Sequence, residues 1–156
     1  MTAHEHPDEQ DPRDFIFICP SYLDCVLAAG DAGDIEVLRD WCAALPRKSY
    51  GKVFIEIDSP MQIQLLETPP GVGVTWIERN STASPTGETP KHGEALMRAV
   101  EGWLDEWVRG DPLSGRNVRL WSGARGSSEV SEHWDRIEEE LAEIWAVAAE
   151  YRDQLA

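Results

Sequence analysis

The stretch Val26-Leu-Ala-Ala-Gly-Asp-Ala-Gly-Asp-Ile-Glu-Val-Leu-Arg-Asp-Trp-Cys-Ala-Ala-Leu-Pro46 decides the fold. Its first residues are small and apolar without alternation, as in a strand covered on both faces. From about residue 33 to 45 the spacing becomes helical. Ile35, Leu38, Cys42 and Leu45 share one face, and Pro46 stops the helix. Between strand and helix lies Gly30-Asp-Ala-Gly-Asp34, a tight turn. Asp34 stands where a helix N-cap is expected, and Glu36 suits the first turn.

Working outward, three more short apolar runs read as strands, at 52–57, 73–77 and 117–121, beside the first at 24–29. A second helix is predicted over 91–109, with Leu96, Ala99, Val100, Trp103, Leu104 and Trp107 on one broad face. Phe15–Cys19 is a short apolar run before Pro20, either a strand or a packed entry segment. Residues 1–13 carry nothing to bury and read as an acidic, disordered tail, and residues 80–90 read as a polar loop. Strands alternating with helices predict an α/β fold: one domain over 14–156, three-layered, with a Rossmann-like parallel sheet. In such sheets ligands sit outside the carboxyl ends of the strands. Residues 30–34, 77–79 and 122–128 follow strand ends and would line one crevice.

The net charge of −15 excludes nucleic acid and an anionic membrane surface as natural partners, since both require clustered Lys and Arg. No run approaches the ~20 apolar residues of a membrane span, and the acidic N-terminus does not read as a signal peptide. The three cysteines, Cys19, Cys25 and Cys42, lack CxxC spacing and read as small buried hydrophobes in a reducing, cytoplasmic setting. His4 and His6, without further ligands, read as solvated rather than metal-bound.

The crevice residues admit two uses. Gly30 and Gly33 permit either a tight turn or a close approach to phosphate, while Asp31 and Asp34 oppose an anion there. Gly123-Ala-Arg-Gly-Ser-Ser128 offers backbone N–H groups, Arg125 and two hydroxyls before a helix, an anion site by composition. Ser127 or Ser128 equally suits a helix cap. Trp76 either stacks on a base or belongs to the core.

The order of Cys25-Val-Leu-Ala-Ala-Gly-Asp31, Val53-Phe-Ile-Glu-Ile57 and Gly73-Val-Thr-Trp-Ile-Glu-Arg79 resembles the C-terminal half of siderophore-interacting proteins. These are flavin-dependent ferric-siderophore reductases related to ferredoxin–NADP reductases. The resemblance covers about residues 24–140 and implies an NAD(P)H-binding domain of the ferredoxin–NADP reductase type. It places NADPH or NADH against Gly30, Asp31, Gly33, Trp76, Arg79, Gly123, Arg125 and Ser127, with Arg79 facing the adenosine phosphate. A guanidinium suits that role, being always charged and bidentate.

Three departures weaken the carry-over. After Gly30-Asp31 the family usually reads Glu-Thr-Ala-Leu-Pro, where this chain has Ala32-Gly-Asp-Ile-Glu36. The family's last strand ends Ala-Gly-Glu, where this chain has Ser122-Gly-Ala124, and the family's closing Tyr-Trp-Arg-x-Gly tail is missing. The family's flavin barrel needs on the order of 100 residues, and this sequence has 23 before Asp24. The expectation is therefore no FAD in this chain.

From Val130 the apolar positions run Trp134, Ile137, Leu141, Ile144, Ala148, Tyr151 and Leu155, a heptad stripe over one long helix. Its second half is expected to pair with the 96–107 helix or with the same helix of a second copy as a homodimer. Two functions remain open. The chain is either a standalone NAD(P)H-binding module serving a separate flavoprotein in ferric-siderophore iron release, or a non-catalytic interaction or regulatory protein that keeps the fold without cofactor. No nucleophile, acid–base pair or metal set in the sequence suggests independent catalysis.

Overall fold

A computed structural model describes residues 24–81, 91–113 and 117–155. Four strands, β1 (Cys25–Asp31), β2 (Tyr50–Ile57), β3 (Gly71–Glu78) and β4 (Val118–Ser122), form one parallel sheet in the order β3-β2-β1-β4. The α/β class and parallel sheet are those expected. The strand ends differ by one or two residues from the sequence reading, as ladder partners and not composition set them. Cys25 pairs with Tyr50 and Val118, and Ala29 with Phe54 and Ser122.

β1 is central, and Cys25 to Ala29 are fully buried. Its alternate residues enter two cores. Val26 and Ala28 join Ile35, Leu38 and Cys42 of helix α1 (Ile35–Ala43) on one face. Cys25, Leu27 and Ala29 join Leu96, Val100 and Leu104 of α2 (Glu94–Leu104) on the other. Val130, Trp134 and Ile137 of α3 (Ser128–Leu155) complete that second layer. Small strand residues suit β1 because helices press on it from both sides. Gly51 sits at φ 141° where a Cβ would run into the Val26 carbonyl, so glycine lets β2 approach β1.

The helix expected over 91–109 is α-helical only to Leu104. Asp105–Arg109 widens into a π turn. The turn points Arg109 at α3. Its Nη2 donates to Glu140 Oε1 at 2.6 Å, and Nη1 donates to Asp105 at 2.8 Å and to Glu101. His133 Nε2 lies 2.6 Å from the other Glu101 oxygen. This network joins α2 to α3 outside the apolar layer. Burial by itself would raise the Glu101 carboxyl, but hydrogen bonds and charge from Arg109 and His133 outweigh it and hold the group below its usual range. Arg109 is pushed up by its hydrogen bonds to Glu140 and Glu101.

The residues around the predicted 80–90 loop divide. Arg79–Ser81 forms a 3₁₀ turn directly on β3, and residues 82–90 lie outside the described residues. The same holds for residues 1–23, which include the tail, His4, His6 and Cys19. Cys25 and Cys42 are buried, and burial raises the Cys42 thiol. α3 is the one long helix expected, with 28 residues, but its stripe is not uniformly covered. Val130, Trp134, Ile137 and Ala148 are buried, whereas Tyr151 is 44 % and Leu155 is 70 % exposed.

The Glu101 network predicts a signed pH dependence. Its native pKa lies below the ordinary 4.5, so its contribution is full above that value and is lost as pH falls through the lower native value. Glu101→Gln should cost about 1 kcal/mol at neutral pH, because the network is partly solvated. Urea unfolding should show this difference shrinking on acidification below 4.5. A difference that stays constant with pH contradicts the assignment.

Candidate functional site

In a sheet ordered β3-β2-β1-β4 the connections depart to opposite sides at β1 and β4. A crevice opens there, at the carboxyl ends of the two strands. Gly30 and Asp31 end β1, and Gly123 and Ala124 follow β4. The predicted residues Gly30, Asp31, Gly33, Gly123, Arg125 and Ser127 therefore converge on one edge. Trp76 and Arg79 reach the same edge from β3, two strands away from β1.

The sequence placed Asp34 as a helix cap. The structure corrects this: Asp34 makes no side-chain cap bond to α1. Asp31 supplies the local cap instead, accepting from Gly33 N at 3.0 Å within a short 3₁₀ turn, Ala32–Asp34. The Asp34 carboxylate turns back into the crevice. Its Oδ2 accepts from Asp31 N at 2.9 Å and from Ala124 N at 2.8 Å, ninety residues away. Both donors are backbone N–H groups at strand ends, the kind that hold an anion in such crevices. Here the chain's own carboxylate holds them.

The rest of the crevice wall is bonded as completely. Gly123 N donates to Ala29 O at 2.8 Å, and Gly123 O accepts from the Trp134 indole at 2.9 Å. Ala124 is buried with φ 55°, a left-handed conformation costly for a non-glycine residue. The Asp34 bond fixes it in that state. A Cβ on Gly30 would lie 2.9 Å from Asp34 Oδ2 and 3.1 Å from the Trp121 ring, and one on Gly123 would lie 2.7 Å from Asp34 Oδ2. These two glycines thus make room for Asp34 and Trp121.

The two arginines are engaged as well. Arg79 Nη2 is ion-paired with Asp58 at 2.9 Å. Arg125 donates to Ser122 Oγ at 2.7 Å and reaches Glu138 at 3.5 Å. Ser127 Oγ lies 3.5 Å from Val130 N, a long cap contact at the start of α3. Trp76 packs half-buried against the α1-side core.

Two residues that the sequence reading did not single out stand beside Asp31. Glu56, its cross-strand neighbour, is 2 % exposed. Its Oε1 accepts from Gly93 N at 2.9 Å, and its buried Oε2 has no partner among the described residues. His92 lies between the acids, Nε2 at 3.1 Å from Asp31 and Nδ1 at 3.4 Å from Glu56. The signal for Glu56 was a lone charge inside Val53-Phe-Ile-Glu-Ile57, and for His92 its place one residue before a glycine that enters a helix. The N-terminus of α2, like the crevice, is thus seated on an internal carboxylate. A cleft of about 590 Å³ opens beside it between the first turns of α2 and α3, with Met97 and Val130 as apolar lining and a mixed charged rim that includes Lys91, Arg98, Glu94 and Glu129. Among the described residues no group of three or more His, Cys, Asp or Glu is arranged to hold a metal ion, and no helix is long and apolar enough to cross a membrane.

The family model for siderophore-interacting proteins matches residues 23–142. Among solved structures, the chain is similar to a siderophore utilization protein from T. fusca, at 23 % identity and TM-score 0.43, over 67 % of this chain and 46 % of that one. It is also similar to the siderophore-interacting protein SipS from Aeromonas hydrophila, at 14 % identity and TM-score 0.40, over 63 % of this chain and 48 % of that one. The chain therefore spans about half the length of the solved relatives it matches. No curated protein matches it.

Replacing Asp34 should expose what it holds. Asp34→Ala leaves two N–H groups unpaired and should cost about 2–4 kcal/mol in chemical denaturation, and Asp34→Asn, which keeps one acceptor oxygen, about half as much. A loss below ~0.5 kcal/mol for Asp34→Ala, the size of an ordinary surface change, contradicts the seat.

Proposed function

The chain belongs to the siderophore-interacting protein family, and from that membership we propose that it is a non-catalytic binding module whose dinucleotide crevice is closed by its own carboxylate. One observation carries this reading: Asp34 Oδ2 accepts from both Asp31 N and Ala124 N. A pyrophosphate entering there meets no free donor at those two positions. It also meets the charge of Asp34 and, within the same turn, of Asp31. Displacing Asp34 costs its hydrogen bonds and leaves a carboxylate beside a phosphate. On this reading the module works by contact with another component of a siderophore-linked iron system, and hydride transfer is not its chemistry.

A second reading keeps the cofactor. Arg79 stands at the end of β3, where the family resemblance puts the adenosine phosphate, and its side chain is 27 % exposed. If NADPH competes with Asp58 for that guanidinium, the module binds NADPH through its adenosine half and presents it to a separate flavoprotein for ferric-siderophore reduction.

Tryptophan fluorescence separates the two, since Trp76 and Trp121 line this edge. The first reading predicts no saturable binding of NADPH or NADH up to about millimolar, near −4 kcal/mol. Saturable NADPH binding that Arg79→Ala weakens by about 1.5–3 kcal/mol, with NADH affected less, establishes the second reading instead.

A further inference from the structure

β4 is an edge strand: among the described residues it pairs only with β1. Gly123 N donates to Ala29 O, so by the alternation of a strand Arg119 and Trp121 also turn their backbone groups to β1. Val118, Leu120 and Ser122 turn theirs outward. Among the described residues the sole partner of these outward groups is the Arg125 side chain, which donates to Ser122 O at 3.3 Å and leaves that carbonyl a second lone pair. An open edge of this kind is a template for a further strand. Beside it, between β4 and the second half of α3, runs a groove of about 380 Å³, with Val118, Leu120, Leu141, Ile144 and Trp145 as its apolar lining.

Charge points to what fits there. The chain carries 29 Asp and Glu residues, and most of its surface repels another copy of itself. Residues 112–128 contain no Asp or Glu, and hold Arg116, Arg119 and Arg125. β4 lies within that stretch, so two copies meeting along it bring no carboxylate from either strand. Glu138, at the groove wall, is already ion-paired with Arg125 of its own chain at 3.5 Å.

We propose that a second copy of this chain docks at this edge, β4 against β4, antiparallel about a twofold axis, so that two four-stranded sheets become one. The strand is complementary to itself in one register. With Leu120 opposite Leu120 of the second copy, Val118 stands opposite Ser122, and every outward N–H and C=O of both strands finds a partner. Arg119 then stands opposite Trp121 on the face away from α3, a cross-strand cation–π pair, whereas centring on Arg119 would set two arginines against each other. On the other face Val118 and Leu120 turn toward α3. The twofold axis puts α3 of both copies over the seam there, with Leu141, Ile144 and Trp145 closing the groove.

The test is light scattering of the full chain from about 1 µM to about 1 mM, with hydrogen exchange at the Leu120 amide followed by NMR over the same range. Salt of about 0.15 M screens the general repulsion. Docking predicts dimer mass at the upper concentrations, and Leu120 exchange that slows at least about tenfold as the dimer fills. Arg119→Glu changes a side chain that is 51 % exposed and sets a carboxylate against Trp121, so it should weaken the dimer at least about tenfold. Monomer mass throughout overturns the proposal. Dimer mass with rapid Leu120 exchange places the contact on another surface and overturns it too. Slow Leu120 exchange already in the monomer shows that the chain covers its own edge, and overturns the choice of a second copy. A dimer indifferent to Arg119→Glu overturns the register.

Discussion

The Asp34 carboxylate ties the start of one half of the sheet to the end of the other. A single oxygen receives the N–H groups of Asp31 and Ala124, and so joins the turn after β1 to the turn after β4. Much of the local geometry depends on it. Ala124 holds a left-handed backbone, Gly30 and Gly123 are without side chains where the carboxylate passes, and Gly123 is bonded on both sides by Ala29 and Trp134. An α/β sheet of this order has a ligand crevice at its switch point by construction. The same construction gives the chain a place to close it with an internal anion.

The pattern recurs one strand away. Glu56 receives Gly93 N at the start of α2, and His92 stands between Glu56 and Asp31. Two of the positions where backbone donors gather in this fold thus carry internal carboxylates. The arginines suited to phosphate are paired too, Arg79 with Asp58 and Arg125 with Ser122 and Glu138. In a protein of net charge −15, the two crevice arginines are thus matched by carboxylates of the chain itself.

Much of the architecture was legible in the sequence because burial periodicity is local. The unalternating run Cys25–Ala29 announced a strand with a helix on each side, and Ile35, Leu38 and Cys42 announced the helix that covers it. The π turn at Asp105–Arg109 was not legible, since its pull comes from Glu140 on another helix. Asp34 shows the same limit at the site. Its position fits a helix cap, and local spacing cannot distinguish that role from a bond to Ala124 ninety residues on. The identities of Arg79 and Arg125 were readable, but their partners were not. Glu56 and His92 meet only because β1, β2 and the entry to α2 share one edge.

The most direct measurement of the Asp34 seat is the through-hydrogen-bond NMR coupling between the Ala124 amide nitrogen and the Asp34 carboxyl carbon, with and without millimolar inorganic pyrophosphate. An internally occupied crevice predicts that the coupling is present and persists, and that the Ala124 amide shows no saturable shift. Loss of the coupling together with a saturable shift of that amide would show that an external anion takes the seat, and would contradict the account.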